Sequence, residues 1–312
     1  MPTVEQIVAK KIIDGLEGGV IPWRKPWVDG IPRNPVTGIT YSGINLMLLS
    51  LCPYRNLNFL TRKQILANGG EIKRGEEKKF WLVVFWKQVK VKDKDDEENV
   101  KTFPLMRYYK VWNVEQTEGG LEERYPDATT ASEHRQDGFE EVASAKDDMV
   151  NRLGVQVGVG QSACYIPSYD KIVLPIFERF STLDGYFATF FHELAHATGN
   201  GARLNRDFDD TFGSDAYCLE ELVAEFASAF LCAKLGIGTK VITNSTAYIQ
   251  GWVSKLKNDP KILTQASSRA KKAVKFLETE TPTNRAARVR RPLAERLAMI
   301  NEMINSDTVV TN

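Results

Sequence analysis

The feature that most constrains this chain is the sequence His192-Glu193-Leu194-Ala195-His196, an H-E-x-x-H motif in a segment whose apolar spacing predicts a helix. Two of the three histidines in the 312 residues stand in this motif. Residues four apart share one face of a helix, so both imidazoles can bind the same metal ion. Glu193 would then lie beside that ion, where it can take a proton from a bound water.

A third metal ligand must come from another part of the chain. The metzincin class would place a histidine at position 202, but the sequence has Ala202 there. The gluzincin arrangement instead uses a glutamate on a later helix, and Glu220 and Glu221 both lie on such a helix. We favour Glu221 as the third ligand, while the spacing leaves Glu220 open as the alternative. Glu225, one helical turn beyond Glu221, is expected to orient a ligating imidazole.

Three protein ligands and one open position are typical of a catalytic zinc site. We therefore expect one Zn2+ per chain and a zinc metallopeptidase that hydrolyses peptide bonds, with Glu193 as the catalytic proton shuttle. Tyr217 is a candidate for stabilising the oxyanion. A substrate backbone could pair with an exposed edge strand between Ala163 and Leu174.

The first part of the chain is basic and rich in aromatic residues. Residues 1–90 contain nine lysines and five arginines against seven acidic residues, a net charge of +7, whereas residues 91–312 carry −6. Residues 22–27 alternate rings with cations, the combination that stacks bases and binds phosphates of single-stranded DNA. The candidate DNA-binding residues are Trp23, Arg24, Lys25, Trp27, Arg33, Asn34, Tyr41, Asn45, Arg62, Lys63, Lys73, Arg74, Arg107, Tyr108 and Trp112. The tryptophans can equally serve as core wedges beside the prolines.

Hydrophobic periodicity and turn residues predict an α+β fold in two domains. We place a single-stranded-DNA-binding α+β domain with a long β-hairpin at residues 1–120. A linker poor in large apolar residues follows at 121–137. Residues 138–312 are predicted to form a mainly helical metallopeptidase domain with a small sheet.

The first domain is expected to begin with an amphipathic helix capped by Thr3 and Gln6. A turned region from 21 to 45 and a short helix from Thr61 to Asn68 follow. The hairpin strands are Phe80–Val91 and Val100–Val114. The elements predicted beyond the linker are the helices Glu140–Leu153, Gly185–Thr198, Cys218–Leu235, Tyr248–Lys257, Pro260–Leu277 and Pro292–Ile304, the β-like stretch Cys164–Leu174 and a basic connector at Arg285–Arg291.

The composition is that of a globular protein, with 43% hydrophobic residues. The longest strongly apolar run, at 81–86, is far shorter than the roughly 20 residues that cross a bilayer. The first twenty residues lack the apolar stretch of a signal peptide. The four cysteines form no CxxC pair. We expect reduced cysteines, a bacterial cytoplasmic location and no membrane partner.

Many motifs in one order resemble the ArdC family of antirestriction proteins. The first-half motifs are Gly18-Gly19, Pro22-Trp23-Arg24-Lys25-Pro26-Trp27, Pro32-Arg33-Asn34-Pro35 with Gly38, Tyr41-Ser42-Gly43-Ile44-Asn45, Thr61 with Gln64, Lys73-Arg74-Gly75 and Tyr109-Lys110-Val111-Trp112-Asn113. The second-half motifs are Tyr165-Ile166-Pro167, Asp170-Lys171-Ile172, Leu174-Pro175, the H-E-x-x-H motif and Glu220-Glu221-Leu222-Val223-Ala224-Glu225.

The resemblance implies an N-terminal domain that binds single-stranded DNA, a C-terminal zincin-like metallopeptidase domain, and protection of incoming plasmid DNA from host restriction. The implied partners are single-stranded DNA and an unidentified protein substrate. Relatives often have Trp and then Thr-Gly-His after the second histidine, whereas this chain reads Ala197-Thr198-Gly199-Asn200. Two alternatives stay open: a DNA-coating protein with an inactive zincin domain, and a DNA-targeted protease that cleaves a repressor.

Overall fold

The computed structural model describes residues 2–24, 30–92, 100–126, 135–206, 214–238 and 246–278. The first half contains α1 (Val4–Glu17), α2 (Ile44–Ser50), β1 (Phe59–Thr61), α3 (Arg62–Ala67), β2 (Glu71–Ile72), β3 (Trp81–Lys92), β4 (Val100–Asn113), β5 (Thr117–Glu118) and α4 (Leu121–Arg124). The second half contains α5 (Arg135–Leu153), β6 (Gln156–Val159), β7 (Cys164–Ile166), β8 (Lys171–Leu174), α6 (Leu183–Ala197), α7 (Asp215–Leu235), α8 (Thr246–Asn258) and α9 (Ile262–Glu278). The α+β class is confirmed. The predicted helix 292–304 and connector 285–291 lie outside the described residues.

The first helix forms as its sequence predicts. The Thr3 side chain accepts a hydrogen bond from the backbone N–H of Gln6, and the Gln6 side chain accepts one from the N–H of Thr3. This reciprocal cap satisfies two groups that the first turn of a helix leaves without partners. Val8, Ile12 and Leu16 lie on the buried face of α1.

The hairpin of β3 and β4 is the centre of the first domain. It pairs antiparallel from Trp81 opposite Val111 to Lys92 opposite Val100. On its other side β4 pairs with the short β1 at residues 111–113 alone. Within the described chain, the edge of β4 from Leu105 to Lys110 therefore has no neighbouring strand.

The second domain carries a three-stranded sheet beside its helices. The strand order is β6-β8-β7, with β6 parallel and β7 antiparallel to the central β8. A short turn at 167–169 separates β7 from β8 within the single β-like stretch that the sequence predicted. α6 packs against α7, β7 and β8, and α7 packs along α9. In the described residues no helix combines the length and apolarity of a membrane span.

The two domains share one hydrophobic core. Buried residues of α1 and α2 belong to the same cluster as those of α6, α7, α8 and α9. α1 packs against α8, and Glu17 forms an ion pair of 2.9 Å with Lys257 across that contact. The second domain is therefore packed against the first and is not joined to it by a tether alone.

The predicted linker differs from the structure at its beginning. Leu121 of α4 is fully buried in a cluster with Leu60, Ile65 and Trp112 of the first domain. The side-chain amide of Asn58 also donates to the carbonyls of Tyr125 and Pro126. Residues 121–126 therefore extend the first domain, and 127–134 lie outside the described residues.

Candidate metal centre and basic groove

α6 presents its two histidines towards α7, and most of the helix positions around them are buried. The Thr182 hydroxyl caps the helix by accepting from the N–H of Gly185. Phe190, Phe191 and Leu194 are fully buried and fix the rotation of the helix. α7 is held in turn by a hydrogen bond of 2.8 Å from the Ser228 hydroxyl to the carbonyl of Ala188 on α6.

The side chains of His192, His196 and Glu221 converge at one point between α6 and α7. The two Nε2 atoms are 3.2 Å apart, and the Glu221 oxygens lie 3.7 Å from Nε2 of His192 and 3.6 Å from Nε2 of His196. Tetrahedral zinc with bonds of 2.0–2.2 Å separates its donor atoms by about 3.3 Å. The donor set and its spacing therefore fit a single tetrahedral metal ion. All three side chains are partly exposed, so the site opens to solvent.

Glu193 lies beside this cluster without belonging to it. Its residue is buried, with 8% of its surface exposed. Its charge contributes to raised pKa values of His192, of Cys164 on β7 and of Tyr217 on α7, so the carboxylate lies near all three groups. Glu193 therefore lies near His192 and near Cys164 of the edge strand β7.

The clustered carboxylates dominate the electrostatics of the candidate metal site. Burial of His192 disfavours its charged form, but the neighbouring carboxylates of Glu221, Glu225 and Glu193 outweigh burial and raise the pKa of His192 to about 9. The carboxyl pKa of Glu221 is lowered, because its bonds to the histidines outweigh the burial that would raise it. The site attracts positive charge, as a cation site must.

The two candidate glutamates have different places. Glu220 does not face the point between the Nε2 atoms: its Oε1 lies 3.1 Å from Nδ1 of His196, on the opposite side of the ring. Both of its oxygens also accept hydrogen bonds from Arg206. Of the two, Glu221 is the one that joins His192 and His196 in a cluster able to hold a metal ion, and Glu220 contacts the other nitrogen of the His196 ring. For Glu225 we predicted a role in orienting an imidazole. In the structure, the charge of Glu225 contributes to the raised pKa of His192.

Two further features border the metal site. The Tyr217 hydroxyl donates to Glu221, and burial together with the charge of Glu221 raises the pKa of Tyr217. β7 is an edge strand of its sheet and carries the exposed Cys164. The pKa of the Cys164 thiol is raised by partial burial and by the nearby charge of Glu193. Among the described residues, the outer edge of β7 therefore has no neighbouring strand, and β7 lies beside α6, the helix of the two histidines.

A second candidate site is a surface groove of about 1000 Å3 in the first domain. It runs along the unpaired edge of β4, between the start of α1 and the start of α3. Its walls carry cations and exposed aromatic rings together. The lining residues are Pro2, Thr3, Val4, Glu5, Thr61, Arg62, Lys63, Leu105, Met106, Arg107, Tyr108, Tyr109, Lys110 and Trp112.

Four of the predicted DNA-binding residues are structural instead. Trp23 is 1% exposed and packs on Phe226 and Trp252 of the second domain. Trp112 is buried and donates its indole N–H to the carbonyl of Glu76. A buried ring has no free face for a base, so the stacking prediction is wrong for both tryptophans.

Two predicted asparagines bind the backbone of their own fold. Asn45 donates to the carbonyl of Val84 at 2.8 Å and accepts from its N–H at 2.7 Å, which joins α2 to β3. The Asn34 side chain accepts from the N–H groups of Val36 and Thr37 and closes a turn. With their amides used in this way, these residues are not available to DNA.

The other predicted DNA-binding residues divide into three groups. Those in the groove are Arg62, Lys63, Arg107 and Tyr108. Four others lie elsewhere in the described fold. Tyr41 is half-buried and Arg74 is exposed. Arg33 donates to Asn58, and Lys73 donates to the carbonyl of Glu115. Those outside the description are Lys25, Trp27 and the side chain of Arg24.

Several residues of both sites were not predicted from the sequence. Tyr109 is 53% exposed and stacks on Phe85 with ring centroids 4.5 Å apart. Lys110 lies with it in the groove, on the strand that already supplied Arg107 and Tyr108 as candidates. Adjacent residues of a strand point to opposite faces, so alternation alone does not place Tyr109 and Lys110 together. Both line the groove because it follows the edge of β4 that, in the described residues, has no neighbouring strand. Arg206 had no motif to mark it.

Comparisons with known proteins agree with this architecture. Residues 2–112 match the N-terminal domain of anti-restriction factor ArdC, and residues 144–269 match the zincin-like metallopeptidase family. Two DNA primases TraC of Escherichia coli are 33% and 32% identical over 86% of this chain. The chain spans 26% and 19% of those proteins, about a quarter or less of their length. An uncharacterized protein of Sinorhizobium fredii, y4eC, is 29% identical and is covered over 91% of its length.

Fold and site together define a protein with a zincin-like metallopeptidase domain packed against an ArdC-type N-terminal domain. Crystal structures of the antirestriction ArdC protein from plasmid R388 superpose with TM-scores of 0.69 for the metal-free form and 0.67 for the Mn(II)-bound form. The metal-free protein is 32% identical, over 88% of this chain and 96% of that one. The chain belongs to the ArdC family of antirestriction proteins.

Proposed function

We propose that this protein binds single-stranded DNA in the groove beside β4 and hydrolyses peptide bonds at a zinc site formed by His192, His196 and Glu221. The observation that carries the enzymatic part is the convergence of these three ligands next to the buried Glu193. A protein that only coats DNA would have no use for a carboxylate in that position. The R388 relative, which binds Mn(II), supports a divalent metal.

The residues around the site have distinct roles in peptide hydrolysis. Bound zinc would polarise the scissile carbonyl and lower the pKa of a water towards about 7. Glu193 accepts the proton of the attacking water and passes it to the leaving amine. The Tyr217 hydroxyl has one proton, which it donates to Glu221 in this structure. By turning from Glu221 to the substrate it can donate the same proton to the developing oxyanion. The open edge of β7 can pair with an extended substrate backbone and align it along α6.

The decisive variant for the peptidase is Glu193→Gln in the full chain. We expect it to retain zinc, as measured by elemental analysis, and to lose cleavage of an unfolded protein such as casein, because the ligands remain and the base is gone. Glu122→Gln removes an exposed charge in the first domain and should keep full activity. Cleavage by Glu193→Gln at the parent rate would contradict this function.

The same variant decides between the peptidase and the DNA-coating alternative. Protection of transferred plasmid DNA is measured in recipient cells that carry a restriction system. If antirestriction needs peptide hydrolysis, Glu193→Gln should lose protection while its affinity for single-stranded DNA is unchanged. Full protection by Glu193→Gln would assign antirestriction to DNA binding alone.

The groove offers the two kinds of contact that single-stranded DNA requires. Arg62, Lys63 and Arg107 supply positive charge for phosphates, and Tyr108 and Tyr109 supply exposed rings for bases. Phe85 covers one face of Tyr109 and holds that ring in place, so a base can continue the stack on the other face. Duplex DNA keeps its base faces covered and cannot use this stack.

Binding of a fluorescent oligothymidylate to the full chain tests the groove. Tyr109→Ala should weaken binding by about 5- to 150-fold, the range expected for one stacked base. Arg107→Gln should reduce the slope of log affinity against log salt concentration by about 1, the contribution of one phosphate contact. Trp86→Ala is the matched control, since Trp86 is equally exposed but lies outside the groove. Parent affinity in both groove variants would exclude this site.

A further inference from the structure

One guanidinium group joins the two helices that carry the metal ligands. Arg206 follows α6 in the chain, and its side chain is 6% exposed. Its Nε and Nη2 donate to the two oxygens of Glu220, both at 2.8 Å. Its Nη2 also donates to the carbonyl of Ala195 at 2.7 Å, and its Nη1 donates to the Thr198 hydroxyl at 2.8 Å. Arg206 thus ties the end of α6 to the start of α7.

The carboxylate held by Arg206 is the one that meets the imidazole of His196. Glu220 Oε1 lies 3.1 Å from Nδ1 of His196, and the Glu220 side chain is 6% exposed. This contact favours the tautomer with a proton on Nδ1 and a free lone pair on Nε2. Nε2 is the atom that faces His192 and Glu221.

We propose that Arg206 is a positioning residue of the metal centre, which acts through Glu220 to hold His196 ready to bind a divalent cation. Without the guanidinium, the buried carboxylate would lose its charge partner and two of its hydrogen bonds. It would then be free to turn away from Nδ1. The inference rests on the metal site of the proposed function, but it does not depend on which reaction that site performs.

The chain contains a matched control for this role. Arg203 is also buried and also binds a carboxylate through two nitrogens, with distances of 2.8 and 2.6 Å to Asp170. It too donates to a carbonyl at the end of α6, that of Ala197. Within the described residues its side chain donates hydrogen bonds to Leu153, Asp170 and Ala197, and none goes to His192, His196 or Glu221. Loss of Arg203 therefore reproduces the structural damage of losing Arg206 without disturbing His196.

The test measures metal affinity directly, by competition of the full-length protein with a chromophoric chelator for Zn2+. We expect Arg206→Ala and Glu220→Gln each to weaken binding by about 10- to 100-fold, the usual effect of removing an orienting partner. Arg206→Lys should recover part of the loss, and Arg203→Ala should bind as the parent does. The visible spectrum of bound Co2+ should change in Arg206→Ala and not in Arg203→Ala.

Several results would overturn the proposal. Parent-like Zn2+ affinity in Glu220→Gln would do so even if Arg206→Ala failed to fold, because this isosteric change removes the charge without altering the volume. An equal loss in Arg203→Ala would show a merely structural effect. A parent that binds no Zn2+ would refute both this inference and the zinc site. A parent that binds Zn2+ but cleaves no protein would refute the peptidase and leave Arg206 in its role.

Discussion

Replacement of Trp23 by alanine separates the two roles that its sequence context allows. Its ring centroid lies 5.3 Å from that of Phe226 and 6.2 Å from that of Trp252, the latter in a T-shaped pair. With 1% of the residue exposed, truncation leaves a cavity at the junction of the two domains. We expect Trp23→Ala to lower the free energy of unfolding by about 3–5 kcal/mol, the usual cost of a large aromatic-to-alanine change in a core.

Urea unfolding followed by far-UV circular dichroism measures this loss, and titration with oligothymidylate in the absence of urea measures DNA affinity. The folded variant should bind DNA as the parent does, because Trp23 lies outside the groove. Trp86→Ala, which removes an exposed tryptophan, should change stability by no more than about 0.5 kcal/mol. If Trp23 stacked on a base, the variant would instead keep its stability and lose about 1–3 kcal/mol of binding. That pattern would show that Trp23 is not part of the buried core.

Three further predictions concern the first domain. Asn45→Leu should cost about 1–3 kcal/mol in urea unfolding, because it removes both hydrogen bonds that the asparagine makes to Val84. Hydrogen bonds to the Glu76 carboxylate, of which the one from Lys79 has the largest effect, lower its pKa from 4.5 to about 2. The ionised carboxylate therefore stabilises the folded state above pH 4.5, and this contribution is lost as the pH falls towards 2. Glu76→Gln should therefore be less acid-sensitive than the parent over that range. Gly43→Ala should destabilise by about 1–3 kcal/mol, since φ is +64° and an added Cβ would lie 2.8 Å from Cδ of Lys271 and 3.0 Å from Oγ of Ser267 on α9.

The elements with strong local signals were predicted from sequence. The cap at Thr3 and Gln6, the long hairpin and the described helices of the second half follow from periodicity and flanking residues. The proximity of His192 and His196 also needs only helical geometry. α2 was missed because its first residue, Ile44, follows a turn-rich segment and the helix is seven residues long.

The errors fall where distant packing decides a residue's role. A tryptophan between prolines and cations has the same local chemistry in a core as on a DNA-binding surface. Trp23 is buried because Phe226 and Trp252 reach it from about 200 residues further along the chain. Asn45 was predicted to bind DNA because its backbone partner, Val84 on β3, cannot be inferred from neighbouring residues. The backbone partners of Asn34 are Val36 and Thr37, so its turn is local and the DNA-binding prediction overlooked it. Glu220 and Glu221 are adjacent in sequence, and only the packing of α7 on α6 gives them different atoms of His196.

The shared core also limits how the two proposed activities can be separated. The first residues of α1 line the groove, and the same helix packs on α8 of the second domain. The turn that carries Trp23 contacts α7, the helix of Glu221. A fragment that ends near residue 120 would therefore expose the buried faces of α1 and Trp23 to water, and its DNA affinity would report lost packing as well as lost function. Point variants in the full chain, chosen at exposed groove positions or at Glu193, avoid this confusion because they leave the common core intact.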